Sequence, residues 1–209
     1  MKQLELPVTR AALLLVELQN DIVHESKIGA KGVGGVLAAQ VERRGVLPKV
    51  AALCAAARTV GVPVGYINYA RKADFPRPQT RLHRLAGAVP TLIEGSWGAE
   101  THAAVAPAAQ DFVFTRCVGV DGSYGTQLYP VMRQLRRDAL VICGVSTSLA
   151  VEGLVRGSVN RGFSCFVVED CCASYPEAWH EFSIANTLPL LSTVTSADAV
   201  LAALGEERA

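Results

Sequence analysis

Short apolar runs alternate with helix-like stretches along the chain, and this alternation limits the folds open to it. The run AALLLVE, residues 11–17, is apolar until its final carboxylate, which is typical of a parallel strand buried on both faces. Strands of this kind separated by helices predict an α/β fold. The predicted strands are residues 11–17, 62–69, 111–116, 139–145, 163–170 and 190–194. The predicted helices are residues 47–60, 126–136, 148–161, 176–187 and 196–204.

Composition narrows the class of protein further. The 209 residues are 50% apolar and 19% charged, with a formal net charge of +1. This length predicts one domain over residues 1–209, and this balance argues against intrinsic disorder and against a nucleic-acid or membrane partner. No apolar run reaches the roughly 18–20 residues of a transmembrane helix. The N-terminal MKQLELPVTR lacks the apolar stretch of a signal peptide, so we expect a mature, cytoplasmic protein.

Six cysteines and four histidines are scattered along the chain without the spacing of a metal site. A chain this apolar does not need disulfides, so we expect reduced thiols. The glycine cluster KGVGGV, residues 31–36, lacks the spacing that cradles a dinucleotide. The sequence therefore predicts no metal and no other cofactor. We expect a surface or loop position for each histidine, namely His24, His83, His102 and His180.

Polar residues at the ends of predicted strands mark the candidate site. Glu17 ends the first strand, Arg116 ends the third, and the turn GVSTSLA follows the fourth and leads into a helix near Ser148. Carboxyl ends of parallel strands open onto one edge of the sheet, where ligands bind. A carboxylate there can act as acid or base, and an arginine can hold an anion. The alternatives are a purely structural ion pair for Glu17 and a solvated strand end for Arg116.

At these positions the sequence resembles the isochorismatase-like superfamily, which includes cysteine amidohydrolases. LLLVELQNDIV resembles its first motif, and GSWGAE resembles a Gly-Thr-Pro-Gly-Ala-Glu turn. FVFTRCVGVDGSYGTQL resembles its third strand with the catalytic lysine, and GVSTSLAVEGLVRGSVNRGFSCFVVEDCCAS resembles its longest motif. The likeness covers about residues 10–195. It implies a three-layer, Rossmann-like, mostly parallel six-stranded sheet of order 3-2-1-4-5-6 with helices on both faces.

The three catalytic positions that the resemblance implies all carry other residues. The acid–base aspartate falls on Glu17, the lysine on or next to Arg116, and the nucleophilic cysteine on Ala150. Ala150 has no nucleophilic atom, and Arg116 stays protonated and cannot shuttle protons. Glu17 still carries a carboxylate. The nicotinamidase metal motif is also missing after the second strand, which supports the prediction of no metal. Substrate-binding candidates are Gln19, Trp97, Tyr124, Ser146, Thr147 and Leu149.

The leading functional hypothesis is a hydrolase of a small, anionic molecule that acts on a C–N or vinyl ether bond without a cysteine nucleophile. Glu17 is its general acid or base, Arg116 its anion clamp, and the backbone around Leu149 and Ala150 its oxyanion donors. The alternative is an inactive family member that binds a small ligand or a protein partner. Members of the superfamily form dimers and tetramers, so we expect a homodimer or homotetramer.

Overall fold

The computed structural model describes residues 4–30, 32–74, 80–81 and 91–206. Its six strands form one all-parallel sheet of order β3-β2-β1-β4-β5-β6, which confirms the predicted order. His83 lies outside the described residues, as does part of the long irregular stretch before β3. The strands are β1 Ala11–Val16, β2 Val64–Tyr69, β3 Phe112–Arg116, β4 Ala139–Val145, β5 Ser164–Ala173 and β6 Thr193–Thr195.

Helices connect the strands and cover both faces of the sheet. The α-helices are α1 Asn20–Val23, α2 Val33–Arg44, α3 Val46–Thr59, α4 Leu128–Gln134, α5 Glu152–Val159, α6 Glu177–Phe182 and α7 Ala197–Glu206. A π-helical turn, Thr147–Val151, runs directly into α5, and a second one, Ser183–Thr187, extends α6. Short 3-10 turns lie at Val8–Arg10, Glu25–Lys27, Trp97–Ala99, Ala103–Val105 and Leu188–Leu190.

The core consists of two apolar layers, one on each face of the sheet, and β1 contributes to both. Leu13 and Leu15 pack into the layer that includes side chains of α2, α3 and α7, whereas Leu14 and Val16 pack into the layer with α4 and α5. Every residue of β1 is buried. Successive side chains of a strand point to opposite faces, so a strand covered on both sides has to be apolar throughout.

Helix α2 was not predicted from the sequence, because its first turn contains Gly34 and Gly35, which are poor helix formers. The structure shows why glycine stands there. A Cβ atom on Gly34 would lie 2.3 Å from the carbonyl oxygen of Asp21, and one on Gly35 would lie 2.1 Å from that of Ala30. Close backbone packing thus explains residues whose helix propensity points the other way.

Two further differences from the predicted boundaries concern segments at the carboxyl-terminal edge of the sheet. Strand β5 continues to Ala173, three residues beyond the predicted end, so Cys171 and Cys172 are buried strand residues. The helical segment after β4 begins at Thr147 rather than near Ser148. Its first turn is π-helical, and sequence periodicity of the α-helical type does not report a turn of this kind.

Candidate active site

Glu17 and Arg116 meet at the carboxyl-terminal edge of the sheet. Glu17 directly follows β1 with a φ of 51°, and its N–H donates to the carbonyl of Ile67 in β2 at 2.8 Å. Arg116 is the last residue of β3, which is separated from β1 by β2. Two strand spacings amount to about 10 Å, so a long side chain is needed for contact. The arginine at this position provides that reach.

The contact between the two side chains is a buried ion pair. Nη2 of Arg116 hydrogen-bonds Oε1 of Glu17 and also donates to the carbonyl of Val120 at 3.3 Å. The Arg116 side chain is 4% exposed and that of Glu17 is 15% exposed. The Nε and Nη1 atoms of Arg116 are buried without a hydrogen-bond partner among the described residues. The pair therefore has hydrogen-bond donors that the described residues do not use.

Tyr69, at the end of β2, forms a wall of this pair. It is in register with Arg116, and the guanidinium carbon lies 5.2 Å from the centre of its ring. Burial raises the pKa of the Tyr69 hydroxyl above its ordinary value. Sequence reasoning did not select Tyr69, although it is the last residue of the predicted second strand. The end of the second strand lies between the ends of the first and third strands in the predicted order. This position could have identified Tyr69 as a neighbour of Glu17 and Arg116.

Gln19 links three segments around the site through hydrogen bonds to their backbone. It is fully buried, and its Nε2 donates to the carbonyls of Tyr69 at 2.8 Å and Ala99 at 2.6 Å. Its Oε1 accepts the N–H of Tyr69 at 2.8 Å. The side chain thus ties the segment after β1 to β2 and to the turn at Trp97–Ala99. These contacts give Gln19 a positioning role and leave its amide engaged with backbone rather than with a substrate.

The turn after β4 brings a further set of predicted residues to the same edge. A cis peptide joins Val145 and the half-buried Ser146. Ala150 is 3% exposed and packs in the apolar layer that contains Val16 and Ile67, near the ends of β1 and β2. Leu149 is 41% exposed. Its N–H donates to the carbonyl of Ser146 at 3.2 Å, so the predicted oxyanion donor at Leu149 is already engaged.

Thr147 and His180 form a buried hydrogen bond next to this turn. The Thr147 hydroxyl lies 2.8 Å from Nδ1 of His180, and Nε2 of that ring lies 3.8 Å from a carboxylate oxygen of Glu169. Burial is the main cause that lowers the pKa of His180 to about 4. The predicted surface or loop position of His180 is therefore wrong. The helix α6 places this histidine under the turn after β4, a placement that sequence spacing does not reveal.

Three other polar side chains cluster beside α1. The ligand atoms of His24, Glu25 and His102 all lie within 4.8 Å of one another, which makes this a geometric candidate for a metal site. The Nδ1 of His24 accepts the N–H of Ser26 at 3.2 Å, and the Nδ1 of His102 accepts that of Ala104 at 3.1 Å. Each neutral ring then carries its proton on Nε2, which opposes metal ligation there.

The predicted pocket walls Trp97 and Tyr124 are both exposed, at 48% and 63%. Trp97 packs edge-on against His24 with ring centres 4.8 Å apart, and Nζ of Lys27 lies 5.4 Å from its ring centre. Tyr124 packs in the turn after β3, where its N–H donates to the carbonyl of Asp121 at 3.0 Å. The structure thus brings together Glu17, Arg116 and Gln19, and places Trp97 with the histidine cluster.

All six cysteines are unpaired, and five of them are buried. Burial raises the pKa of Cys54 to about 11 and that of Cys165 and Cys172 to about 12. It also raises the pKa of the remaining two buried thiols, Cys143 and Cys171. A thiol acts as a nucleophile in its anionic form, so these five buried thiols are poor nucleophiles. Cys117, which follows Arg116, is the exposed one.

The all-parallel sheet order defines a doubly wound α/β protein with polar strand ends at one edge, and comparison with known proteins gives the family. The family model for the isochorismatase domain matches residues 11–199, so the chain belongs to the isochorismatase family. The isochorismatase family protein YecD of Escherichia coli O157:H7 is 28% identical over 202 residues, which cover 96% of this chain and 100% of that protein.

Two further relatives extend the comparison. The ureidoacrylate amidohydrolase RutB of Methylobacterium radiotolerans is 26% identical over 175 residues, which cover 77% of this chain and 67% of that protein. The crystal structure of a cysteine hydrolase from Pseudomonas syringae pv. phaseolicola superposes with a TM-score of 0.80. It is 19% identical and covers 98% of this chain and 97% of the other, so it supports the fold.

Proposed function

We propose that this isochorismatase-family chain hydrolyses a small, anionic molecule, with Glu17 as its acid–base group and without a cysteine nucleophile. One observation carries the proposal: in the buried Glu17–Arg116 pair, two guanidinium nitrogens have no hydrogen-bond partner in the part of the chain that the structure describes. A buried, unused donor costs about 1–3 kcal/mol, so the pair favours a bound group that supplies anionic oxygens. A carboxylate that can move a proton lies directly beside those donors.

The ion pair favours hydrolysis of a C–N bond over cleavage of a vinyl ether. The Glu17 carboxylate accepts a hydrogen bond from the Arg116 guanidinium, an arrangement that suits a proton acceptor rather than a proton donor. Glu17 takes a proton from a water molecule as the water oxygen attacks the carbonyl carbon, and it later returns that proton to the leaving nitrogen. Vinyl ether cleavage needs a proton donor at the first step. The free Nε and Nη1 of Arg116 would hold a substrate carboxylate or the developing oxyanion.

The relative RutB supports the same class of substrate. Its name, ureidoacrylate amidohydrolase, describes hydrolysis at a C–N bond of a molecule that carries a carboxylate. In this chain the position that the resemblance assigns to the nucleophile is Ala150, whose methyl group is buried. We therefore assign the attack on the carbonyl to water rather than to a side chain.

A binding protein without turnover is the second candidate. It is favoured by the direct hydrogen bond from Arg116 to Glu17, because a carboxylate already engaged by the protein has less capacity to activate water. The same two free donors of Arg116 would then serve binding alone. Affinity for a small carboxylate without any product would identify this function.

The test is a hydrolysis screen over small amides, ureido compounds and chorismate-type acids, followed by substitution of Glu17. We expect Glu17→Gln to lose about 10²–10⁴-fold in kcat/KM, the usual size of a general acid–base contribution. Cys117 is the exposed thiol and the other five are buried, so Cys117 is the thiol to test as an alternative nucleophile. Because water is the proposed nucleophile, Cys117→Ala should retain activity. Loss of activity in Cys117→Ala would contradict the cysteine-independent mechanism.

Folding has to be separated from chemistry in this test, since Glu17→Gln leaves the buried Arg116 without its partner. Asp111→Asn is the matched control. It breaks another ion pair, in which the Asp111 side chain is 1% exposed and its partner Arg58 lies on α3. If both variants lose stability but only Glu17→Gln loses turnover, the effect belongs to the site. Equal losses of activity would overturn the role of Glu17.

The remaining expectations about partners are proposals as well. Among the described residues no helix has the length and apolar character needed to cross a membrane. The predicted homodimer or homotetramer stays a prediction, and sedimentation of the purified chain would test it. Neither a metal nor another cofactor enters the proposed reaction, and addition of a chelator should therefore leave the rate unchanged.

A further inference from the structure

Arginines surround a cavity at the amino-terminal edge of the sheet, at the opposite end of the strands from Glu17. The cavity has a volume of about 510 Å³. Its walls come from the segments just before β1, β4 and β5 and from the end of α4. The residues that give it its charge are Arg10, Arg133, Arg136, Arg137, Arg161 and Asp138.

The positive charge of this arginine cavity is largely uncompensated by its own lining. Asp138 is the acidic residue among the lining residues, and Arg10 engages it through two hydrogen bonds, one of them from Nε at 2.8 Å. That contact lowers the pKa of the Asp138 carboxyl, which is therefore ionised and fully committed to Arg10. The other four arginines line the same cavity. Like charges gathered in one cavity repel, and a bound anion relieves that repulsion.

Several of these guanidinium groups are held in fixed positions. Nη1 of Arg161 donates to the carbonyl of Gly157 at 2.8 Å, and Nη2 of Arg133 donates to the carbonyl of Arg161 at 3.1 Å. The Arg161 group also lies 4.7 Å from the ring centre of Tyr129. Nη1 of Arg137 donates to the carbonyl of Thr9 at 2.5 Å, while its Nε is buried without a partner among the described residues.

Helix capping explains part of this arrangement but not all of it. Cations are favoured near carbonyl groups at the end of a helix. This accounts for the side chains of Arg133 and Arg161, which donate to carbonyl groups at and just after the end of α5. It does not account for Arg10, Arg136 and Arg137. Each arginine offers five N–H donors, so the contacts described leave most of them available to a ligand.

We propose that the arginine cavity binds a small polyanion, that is, a molecule with two or more phosphate or carboxylate groups. The volume lies within the range of about 300–1,000 Å³ that is typical of small-molecule sites. Guanidinium groups bind both kinds of anionic group through paired hydrogen bonds. These arginines line one cavity of a chain whose net charge is +1, whereas a nucleic acid needs an extended basic surface. This proposal is independent of the proposed hydrolase activity.

The test is calorimetric titration of the full chain with tripolyphosphate at low salt. The double variant Arg136→Gln, Arg161→Gln should weaken binding by about a hundredfold, because each lost charged hydrogen bond is worth about one decade of affinity. Arg156→Gln is the matched control. Arg156 is exposed, pairs with Glu152 on α5 and does not line the cavity. The Arg156→Gln variant should therefore bind tripolyphosphate with the affinity of the wild type. Arg136→Gln alone repeats the test with a smaller disturbance of the fold.

The source of the anionic groups is resolved by a second titration with citrate. Tighter binding of tripolyphosphate supports a phosphorylated ligand, and tighter binding of citrate supports a polycarboxylate. Absence of binding for both, or equal loss of affinity in Arg156→Gln, would overturn the proposal. It would also fail if the double variant changed only the mass of an oligomer, or if duplex DNA bound and tripolyphosphate did not compete.

Discussion

His180 shows how a single buried residue makes stability depend on pH. The ring is buried at 3% exposure and faces Thr147 and Glu169, with Arg44 opposing and Glu177 favouring its charged form. Its pKa falls from 6.5 to about 4 on folding. The unfolded chain then binds more protons between these two pH values. The contribution of His180 to stability is therefore fully present above pH 6.5 and is lost as the pH falls towards 4.

We expect this residue to contribute up to about 3 kcal/mol to the loss of stability over that pH range. Chemical denaturation at pH 7.5 and at pH 4.5 would measure it in the wild type and in His180→Gln. The variant is less stable at neutral pH, because it disturbs the bond to Thr147, but its free energy of unfolding should change less with pH. Parallel pH curves for the two proteins would contradict the assigned cause.

At the scale of elements, the close pairing of β1 with β4 depends on Gly144. This residue is in register with Val16 and has a φ of 117°. A Cβ atom on Gly144 would lie 2.2 Å from the carbonyl oxygen of Val16, which directly precedes Glu17. Backbone cannot yield as a flexible side chain does, so the two strands would have to separate there.

Gly144→Ala should therefore destabilise the fold by about 3 kcal/mol or more, as expected for a steric clash between backbones. Gly61→Ala is the matched control, since Gly61 also has a positive φ, 72°, but nothing lies within 4 Å of the added atom. The control isolates backbone strain, with an expected cost of about 1 kcal/mol. Thermal or urea unfolding of both variants measures the difference. A similar cost for the two would show that the strands accommodate the methyl group.

The sequence predicts the elements whose burial requires apolar residues. It misses the elements in which tertiary contacts favour residues of low propensity for that secondary structure. The strands are found because their burial on both faces requires continuous apolar runs, as in β1. Helix α2 is missed because its glycines allow close contacts with Asp21 in α1 and with Ala30 just before the helix. The extension of β5 through Cys171 and Cys172 is missed because the acidic Glu169 and Asp170 interrupt its apolar run.

The candidate site follows the same division. Glu17 and Arg116 are predictable because parallel strands end at one edge of the sheet. The contact of His24 with His102, whose ring centres lie 5.0 Å apart, joins residues brought together only by the folded loops after β1 and before β3. Likewise, the bond between Thr147 and His180 depends on where α6 returns to the sheet. Spacing along the chain carries no trace of either.

At the scale of the whole molecule, β1 connects the two charged regions described above. Arg10 directly precedes this strand and belongs to the arginine cavity, whereas Glu17 directly follows it. The seven residue steps between them span about 23 Å at the rise of a β-strand. β1 is buried along its full length and hydrogen-bonded to β2 and β4, so it forms a stiff connection between the two regions.

Rigid separation predicts that the two regions act independently, because coupling requires an element with two arrangements that both sites influence. Substitutions this far apart with no shared partners add to within about 0.5 kcal/mol. Glu17→Gln should therefore leave tripolyphosphate affinity unchanged, and the Arg136→Gln, Arg161→Gln variant should leave kcat/KM unchanged. The combined variant in a double-mutant cycle measures the coupling directly. A coupling free energy well above that limit would mean that β1 shifts as a unit and that occupation of the arginine cavity regulates the Glu17 site.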